Sequence, residues 1–280
     1  GGLQVVLCGD FFQLPPVTRS GEPDSHFIYY SRAWKNMNLR VCYLHEQHRQ
    51  KDPAFLQVLN EIRGKRVSEE TLAHLRSRYK KEPEKSIQPT KLYTHNIDVD
   101  SVNDVELEKL PGISREFHMG ERGKEFLVET LKKTCLAPAT LRLKKGAHVM
   151  FVKNNYEAGY VNGTLGTVVD CGGQAPIVET ALGKRISAEP IEWQIAEEGK
   201  VLAEIIQVPL RLAWAITVHK SQGMSLDAVE VDLSKSFEKG MGYVALSRVR
   251  SLAGLKLLGM NDMALEVNPE VLQFDRSLLE

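Results

Sequence analysis

Several short stretches of this sequence concentrate side chains that can handle phosphate. Gly9-Asp10-Phe11-Phe12-Gln13-Leu14-Pro15-Pro16-Val17 follows an apolar run. The exit of a parallel strand is where open α/β sheets bind ligands, so Gln13 could face a nucleotide or its attacking water. An amide can donate to a phosphate oxygen and accept from water at once. The same glycine and prolines also make a plain strand exit. His45-Glu46-Gln47-His48-Arg49-Gln50 offers Arg49, which could reach a phosphate from another domain or sit solvated in a surface ion pair. Thr94-His95-Asn96, where a strand gives way to a helix, could hold a nucleic-acid phosphate or cap that helix. Thr217-Val218-His219-Lys220-Ser221-Gln222-Gly223 is dense in donors. His219 alone suits a structural role, whereas the cluster as a unit reads as a polar tip delivered to a site. In Tyr243-Val244-Ala245-Leu246-Ser247-Arg248-Val249-Arg250, Val244 and Arg248 share a helix face. Arg248 is therefore rigidly aimed, and Arg250 reads as a surface ion pair.

The elements that must position these groups emerge from periodicity. Gly1 to Cys8 reads as a buried parallel strand, nearly continuous in apolar residues, in a sheet begun upstream. A second short strand is expected near Leu39 to Leu44. Phe55, Val58, Leu59 and Ile62 recur at helical spacing and predict a helix from Pro53 to about Gly64. Another runs from Glu69 to Tyr79, with Leu72, Leu75 and Tyr79 on one face. A strand at Lys91 to Thr94 precedes a helix from about Asp98 to Leu110. Between about Glu125 and Ile206 short β-prone runs (147–152, 165–169, 177–180, 191–195 and 204–208) alternate with turns such as Asn162-Gly163, which suggests a small antiparallel barrel or sandwich. From Leu210 alternation resumes, with a helix through Val218 and a strand at Val229 to Leu233. The expected architecture is an α/β domain with a parallel sheet, interrupted by a β-barrel insertion.

Composition narrows the classes. With 280 residues, 42% hydrophobic and 26% charged, the chain is globular in type and large enough for a substantial core. Lysine plus arginine equals aspartate plus glutamate at 36 each, so attraction to nucleic acid must come from local clusters. Cys8, Cys42, Cys135 and Cys171 form no CxxC pair, which argues against a zinc site or disulfide framework and for an intracellular, reducing setting. No metal site is expected. Leu212 to Ile216 is too short to cross a bilayer. Gly1 is not a natural start, so a targeting segment could have been removed.

In order and spacing, GDFFQLPPV, LHEQHRQ, TVHKSQGMSLD and YVALSRVRS resemble motifs three to six of the petite integration frequency (PIF) DNA helicases. These belong to superfamily one, in the RecD-like branch that moves 5′ to 3′ on single-stranded DNA. LKKGAHVMFVKN, VNGTLGTVV and VLQF extend the resemblance over nearly the whole chain. It implies the remnant of a first RecA-like domain (1–46), a second RecA-like domain in two parts (47–124 and 206–280), and an inserted small β-barrel of the Src-homology type (125–205). It implies that ATP and Mg2+ are used, that Gln13 senses the γ-phosphate with Gly9 and Asp10 beside it, and that Arg49 and Arg248 are arginine fingers. Gln222 and Gly223 would link nucleotide to DNA. Thr94, His95, Asn96, Lys144, Lys145, Asn162, Thr217, His219 and Lys220 would line a path for single-stranded, forked or structured DNA. Residues 132–153 hold Lys132, Lys133, Arg142, Lys144, Lys145 and Lys153 without an acidic residue, a local surplus consistent with that path.

The departure from the family pattern is large. No GxxxxGK[ST] loop occurs in these residues, and the acidic magnesium-binding motif is also missing, so the chain alone is expected not to hydrolyse ATP. The expected whole is an intracellular, monomeric helicase of replication, repair, recombination or telomere maintenance. It would act in the bacterial cytoplasm and nucleoid, or in a eukaryotic nucleus or mitochondrion. Two other classes stay open, a non-enzymatic single-stranded nucleic-acid-binding module and an interaction protein whose barrel binds another protein. Salt-dependent DNA binding separates the last from the rest, and ATP turnover separates the first two.

Overall fold

Two of the helices expected from apolar spacing form where predicted, each begun by a side chain that satisfies its first turn. The structure is a computed structural model that describes residues 2–16, 27–44, 46–84, 88–94 and 99–278. A five-residue α1 (Arg32–Asn36) is followed by α2 (Pro53–Arg63), which buries Phe55, Val58, Leu59 and Ile62. Asp52 accepts from Phe55 N at 3.3 Å, and Pro53 occupies the first turn, where its missing N–H costs nothing. In α3 (Glu69–Arg76) the cap is Ser68, which accepts from Thr71 N at 3.2 Å. This helix stops short of Tyr79. Thr71 and Leu75 form its buried face, and Tyr79 is exposed, bridged in parallel to Leu257.

After β1 (Thr90–Tyr93) and α4 (Val99–Glu108) the chain leaves the central layer. The excursion comprises β2 (Arg115–His118), β3 (Gly120–Gly123), α5 (Glu125–Thr134), β4 (Thr140–Leu143), β5 (His148–Phe151), β6 (Leu165–Asp170), β7 (Ile177–Thr180), β8 (Arg185–Ser187), β9 (Ile191–Glu197), β10 (Lys200–Gln207) and β11 (Leu210–Leu212). Then β12 (Ala215–Thr217), β13 (Val229–Leu233), α6 (Met241–Ser247), β14 (Leu255–Met260) and α7 (Pro269–Ser277) complete the layer. Its four strands are all parallel, in the order β12-β1-β13-β14. Asn103 of α4 closes the outer strand: its amide donates to Ala215 O at 3.0 Å and accepts from Ala215 N at 2.9 Å. A buried backbone edge left open would cost free energy, and this side chain satisfies it.

The excursion is antiparallel, as its alternation predicts, and its strands run from Arg115 to Leu212, beyond both ends of the 125–205 insert expected from sequence. Its ladders fall into three sheets, β11-β5-β6-β7-β8, β3-β10-β9 and β2-β4, and none of them closes on itself among the described residues. Gln207 joins them. Its buried amide donates to Phe117 O, Pro138 O and Ala139 O at 3.1, 2.9 and 3.2 Å, and its Oε1 accepts from Val208 N at 2.8 Å. Leu141, Leu143, Val149, Phe151, Val168 and Val178 belong to a core here that is separate from the one around the parallel layer.

Three expectations need correcting. The Leu3 to Cys8 run forms no strand, and its side chains are exposed, Leu3 at 94% and Val6 at 75%. A buried parallel strand needs hydrogen-bonding neighbours, and no strand among the described residues pairs with it. Leu39 to Leu44 is likewise without strand structure. The helix expected through Val218 is instead β12 followed by turns, because Ala215 to Thr217 pair with Lys91 to Tyr93. A short apolar run is compatible with either state, and the parallel partner decides it.

Candidate functional site

Helix α6 is buried along nearly its whole length, which makes it a rigid mount for the arginine at its end. Gly242 permits this, since a Cβ there would lie 1.9 Å from Ala264 O. That arginine, Arg248, is 1% exposed. Its Nε donates to Val244 O at 3.0 Å, Nη2 to Ser247 Oγ at 2.8 Å and Nη1 to Met224 O at 3.4 Å. Arg49 reaches the same place, its Nη1 donating to Ser247 O at 3.3 Å. Gln50, which sequence reasoning missed, fastens the approach by donating to Ser247 O at 2.9 Å and Val249 O at 3.0 Å. Among the described residues neither arginine forms an ion pair. Burial pushes Arg248 down to about 10, and the neighbouring Arg49 charge adds to the depression. Packing around the Arg49 guanidinium lowers its pKa as well, although the residue as a whole is exposed, and Arg250 contributes. Asp10 favours the Arg248 charge through space but pairs with neither guanidinium, and two converging guanidiniums that no carboxylate pairs among the described residues make a place for an anion. Arg250 behaves as the ion-pair reading expects and lies 3.7 Å from Asp227.

The Gly9 to Pro16 turn lies against the start of α6. Gly240, at φ 86°, leaves room for it, since a Cβ there would sit 2.7 Å from Phe12 O. Gln13 is half-buried and its backbone N–H donates to Asp10 O at 3.2 Å, while Gly9 is exposed. Asp10 does not stand free for a nucleotide. Its Oδ1 accepts from Arg63 at 2.9 Å and from Phe12 N at 3.2 Å, and its Oδ2 accepts from Tyr243 OH at 3.2 Å. Arg63 and Tyr243 carried no signal in the sequence, since nothing local marks the end of an amphipathic helix as a partner for a residue 53 positions earlier.

A third group lies at the carboxyl edge of the parallel sheet. Tyr93 pairs with Thr217, and Val218 N donates to Tyr93 O at 2.9 Å, so Thr94 and the Thr217 to Lys220 segment leave adjacent strands together. Thr94 and Thr217 are buried, His219 is half-buried and Lys220 is exposed, 3.8 Å from Asp100. Lys220 N donates to Thr217 Oγ1 at 3.2 Å, which tightens the turn. His95 and Asn96 lie outside the described residues. The exposed Gln222 and Gly223 carry the chain from this edge to Met224, whose carbonyl receives Arg248. The Asn162-Gly163 turn of the insert presses on the same loop. A Cβ on Gly163 would lie 2.7 Å from Ser225 O, and Ser225 N donates to Asn162 O at 3.4 Å. One short loop thus touches the sheet edge, the insert and the arginine pair.

Half of the basic run of 132–153, namely Lys132, Arg142 and Lys144, is paired with acidic side chains. Lys144 is buried and donates to Glu108 Oε2 at 3.0 Å and Leu110 O at 3.2 Å, and Arg142 pairs with the same Glu108. Lys132 is 2.7 Å from Glu121 and 3.0 Å from Glu129. Lys144 is therefore a structural tether and not a free cation, whereas Lys145 is exposed and without an ion pair among the described residues. No group of three or more His, Cys, Asp or Glu among those residues could hold a metal ion.

The pattern of the PIF1-like helicase family matches residues 1–71, and that of the 2B domain of DNA helicase Pif1 matches residues 125–171. The ATP-dependent DNA helicase Pif1 of Psychrobacter sp. is 41% identical over 96% of this chain and 50% of its own length. The crystal structure of Pif1 helicase from Candida albicans is 36% identical with a TM-score of 0.66, covering 97% of this chain and 68% of that one. Pif1 from Bacteroides sp., crystallised with ADP-AlF4, is 29% identical with a TM-score of 0.81, covering 96% of this chain and 65% of that one. The chain spans about half the length of the curated relatives it matches. On these grounds the chain belongs to the PIF1-like helicase family.

Proposed function

We propose that this chain carries the arginine-finger half of an ATP-dependent DNA helicase that moves 5′ to 3′ on single-stranded DNA and serves genome maintenance. The observation that supports it most is the convergence of Arg49 and Arg248 on Ser247, neither of them ion-paired among the described residues. A γ-phosphate brought by a facing lobe would complete the charge balance there, and Gln13 on the adjoining turn would orient water toward it. Mg2+ would shield phosphate charge, and no GxxxxGK[ST] phosphate-binding loop occurs in these residues. We therefore expect the 280 residues alone not to turn over ATP.

DNA would run along the carboxyl edge of the sheet, over Thr94, Thr217, His219 and Lys220, with the Asn162 turn beside it. The loop through Gln222 and Gly223 offers a short mechanical route from strand to phosphate, because its end is bonded to Arg248. Opening the cleft releases charge-assisted contacts, and alternating grip on the backbone turns each cycle into a step. Such contacts tolerate any sequence and are sensitive to salt. No helix among the described residues is long and apolar enough to cross a membrane. We expect an intracellular monomer acting on single-stranded and forked DNA.

The test is ATP hydrolysis, with and without single-stranded DNA, by the chain in its full-length context. Strong stimulation by DNA, abolished by Arg49→Ala or Arg248→Ala, supports the motor and both fingers. DNA binding without turnover would make the protein a passive nucleic-acid binder instead.

A further inference from the structure

We propose that Arg63 is a positioning residue: with Asp10 and Tyr243 it forms a clasp that holds the Gly9 to Pro16 turn on the arginine-bearing lobe and biases the cleft toward its closed state. The inference rests on the proposed helicase function, in which that turn and the two arginines belong to facing lobes.

The geometry is specific. Arg63 ends α2, and its guanidinium lies 4.3 Å from the centre of the Phe12 ring, 2.9 Å from Asp10 and 3.7 Å from Asp275. Tyr243, on α6 one turn before Arg248, takes the second oxygen of Asp10 at 3.2 Å. The contacts Asp10 makes outside its own turn therefore come from α2 and α6. Asp275 in turn accepts from Tyr43 OH at 2.6 Å, so a second point of the N-terminal segment is tied to the same guanidinium. Gln13 N is bonded to Asp10 O, which makes the place of Asp10 the place of Gln13.

The side chains of the pair are 34% and 20% exposed. A half-solvated pair is strong enough to bias an equilibrium and weak enough to open in each cycle. An arginine fork suits the task because it can serve two carboxylates and a ring at once. Burial works against the charge of Arg63, yet Asp10, Tyr243 and Asp275 together raise its pKa above the usual value.

The experiment uses the full-length protein and steady-state ATP hydrolysis on saturating single-stranded DNA, with melting midpoints recorded for each variant. If the clasp sets the closed fraction, Arg63→Gln and Asp10→Asn each raise the KM for ATP about ten-fold with kcat held within about two-fold. The double variant is then no worse than the worse single one, since both remove the same contact. A purely structural role would lower the melting midpoint and the active fraction while leaving KM unchanged, and that result overturns the proposal. Multiplying effects in the double variant overturn it too. Arg248→Ala, run alongside, reports on the helicase function itself: normal turnover there defeats that function, whereas its loss together with unchanged KM in Arg63→Gln defeats the clasp alone.

Discussion

Arg78 and Arg248 are the most deeply buried arginines among the described residues, and they are buried for different ends. Arg78 is 3% exposed beside β14, where its Nε donates to Leu255 O at 2.8 Å and its Nη2 to Ala253 O and Glu82 O at 3.0 and 3.1 Å. Its Nη1 lies 3.7 Å from Glu84. Arg248, at 1% exposure, bonds among the described residues to its own helix and to Met224 and forms no ion pair; a second arginine opposes its charge more than the unpaired Asp10 favours it. A guanidinium ringed by carbonyls and one carboxylate staples a corner. One left beside another cation is held at a cost that makes sense if an anion arrives to offset it.

Removing the two side chains sharpens the contrast. Arg248→Ala in the full-length protein is expected to lower DNA-stimulated ATP turnover by about 10³-fold or more, the range for a lost finger. Its melting midpoint should move less, because relief from desolvation and from the Arg49 charge offsets part of the lost bonding. Arg78→Ala should do the reverse. It strands the buried Leu255 carbonyl and removes a donor from the more exposed Ala253 and Glu82 carbonyls, at a cost of about 2 kcal/mol in unfolding free energy, while turnover per folded molecule stays normal. If the two variants behave alike in both measurements, the distinction drawn from their neighbours is wrong.

His148 offers a third way of burying an ionisable group, which is to keep it neutral. It is 2% exposed on β5, and burial pushes its pKa down to about 4 from 6.5. Above pH 6.5 both folded and unfolded chains hold it neutral, so it has no effect on stability there. As pH falls, the unfolded chain takes up a proton that the folded chain refuses, and the loss grows to about 3 kcal/mol near pH 4. Denaturant unfolding of wild type and His148→Phe between pH 7 and pH 4 should show the slope flattened in the variant. The window lies largely above that of Glu61, whose carboxyl is held down to about 2 by bonding to Ser68.

What could be read from sequence depends on the range of the interaction that decides each feature. Helix α2 was legible because Phe55, Val58, Leu59 and Ile62 recur with the helical period and Asp52-Pro53 marks the start. The strand Ile177–Thr180 was legible between its turns. β12 was not, since its state depends on Lys91 to Tyr93 more than a hundred residues earlier. At the candidate site, the sequence could propose Arg49 and Arg248 because they sit in dense local patterns. Asp10 was assigned to the nucleotide because its partner Arg63 is invisible in one dimension. The apolar Leu3 to Cys8 run has the composition of a buried strand, but composition cannot supply neighbours to pair with.

The smallest expected effect separates Lys144 from Lys145, adjacent residues that composition treats as one basic patch. Lys144 spends its charge on Glu108 and a second donor on Leu110 O, so it has little left for a phosphate. Lys145 is exposed with no acidic partner among the described residues. Each phosphate neutralised on single-stranded nucleic acid steepens the dependence of log affinity on log salt by about 0.7. Lys145→Ala should therefore flatten that slope by about 0.7 and weaken binding a few-fold at low salt, with the melting midpoint unchanged. Lys144→Ala should leave the slope alone and lower the midpoint, because it leaves Glu108 with Arg142 as its remaining partner and Leu110 O without its donor. Fluorescence anisotropy of a labelled oligonucleotide at several salt concentrations measures the first, and thermal melting the second. An equal slope change in both variants would mean that DNA draws Lys144 away from Glu108, and that the ion pair is a resting state of the DNA path and not a tether.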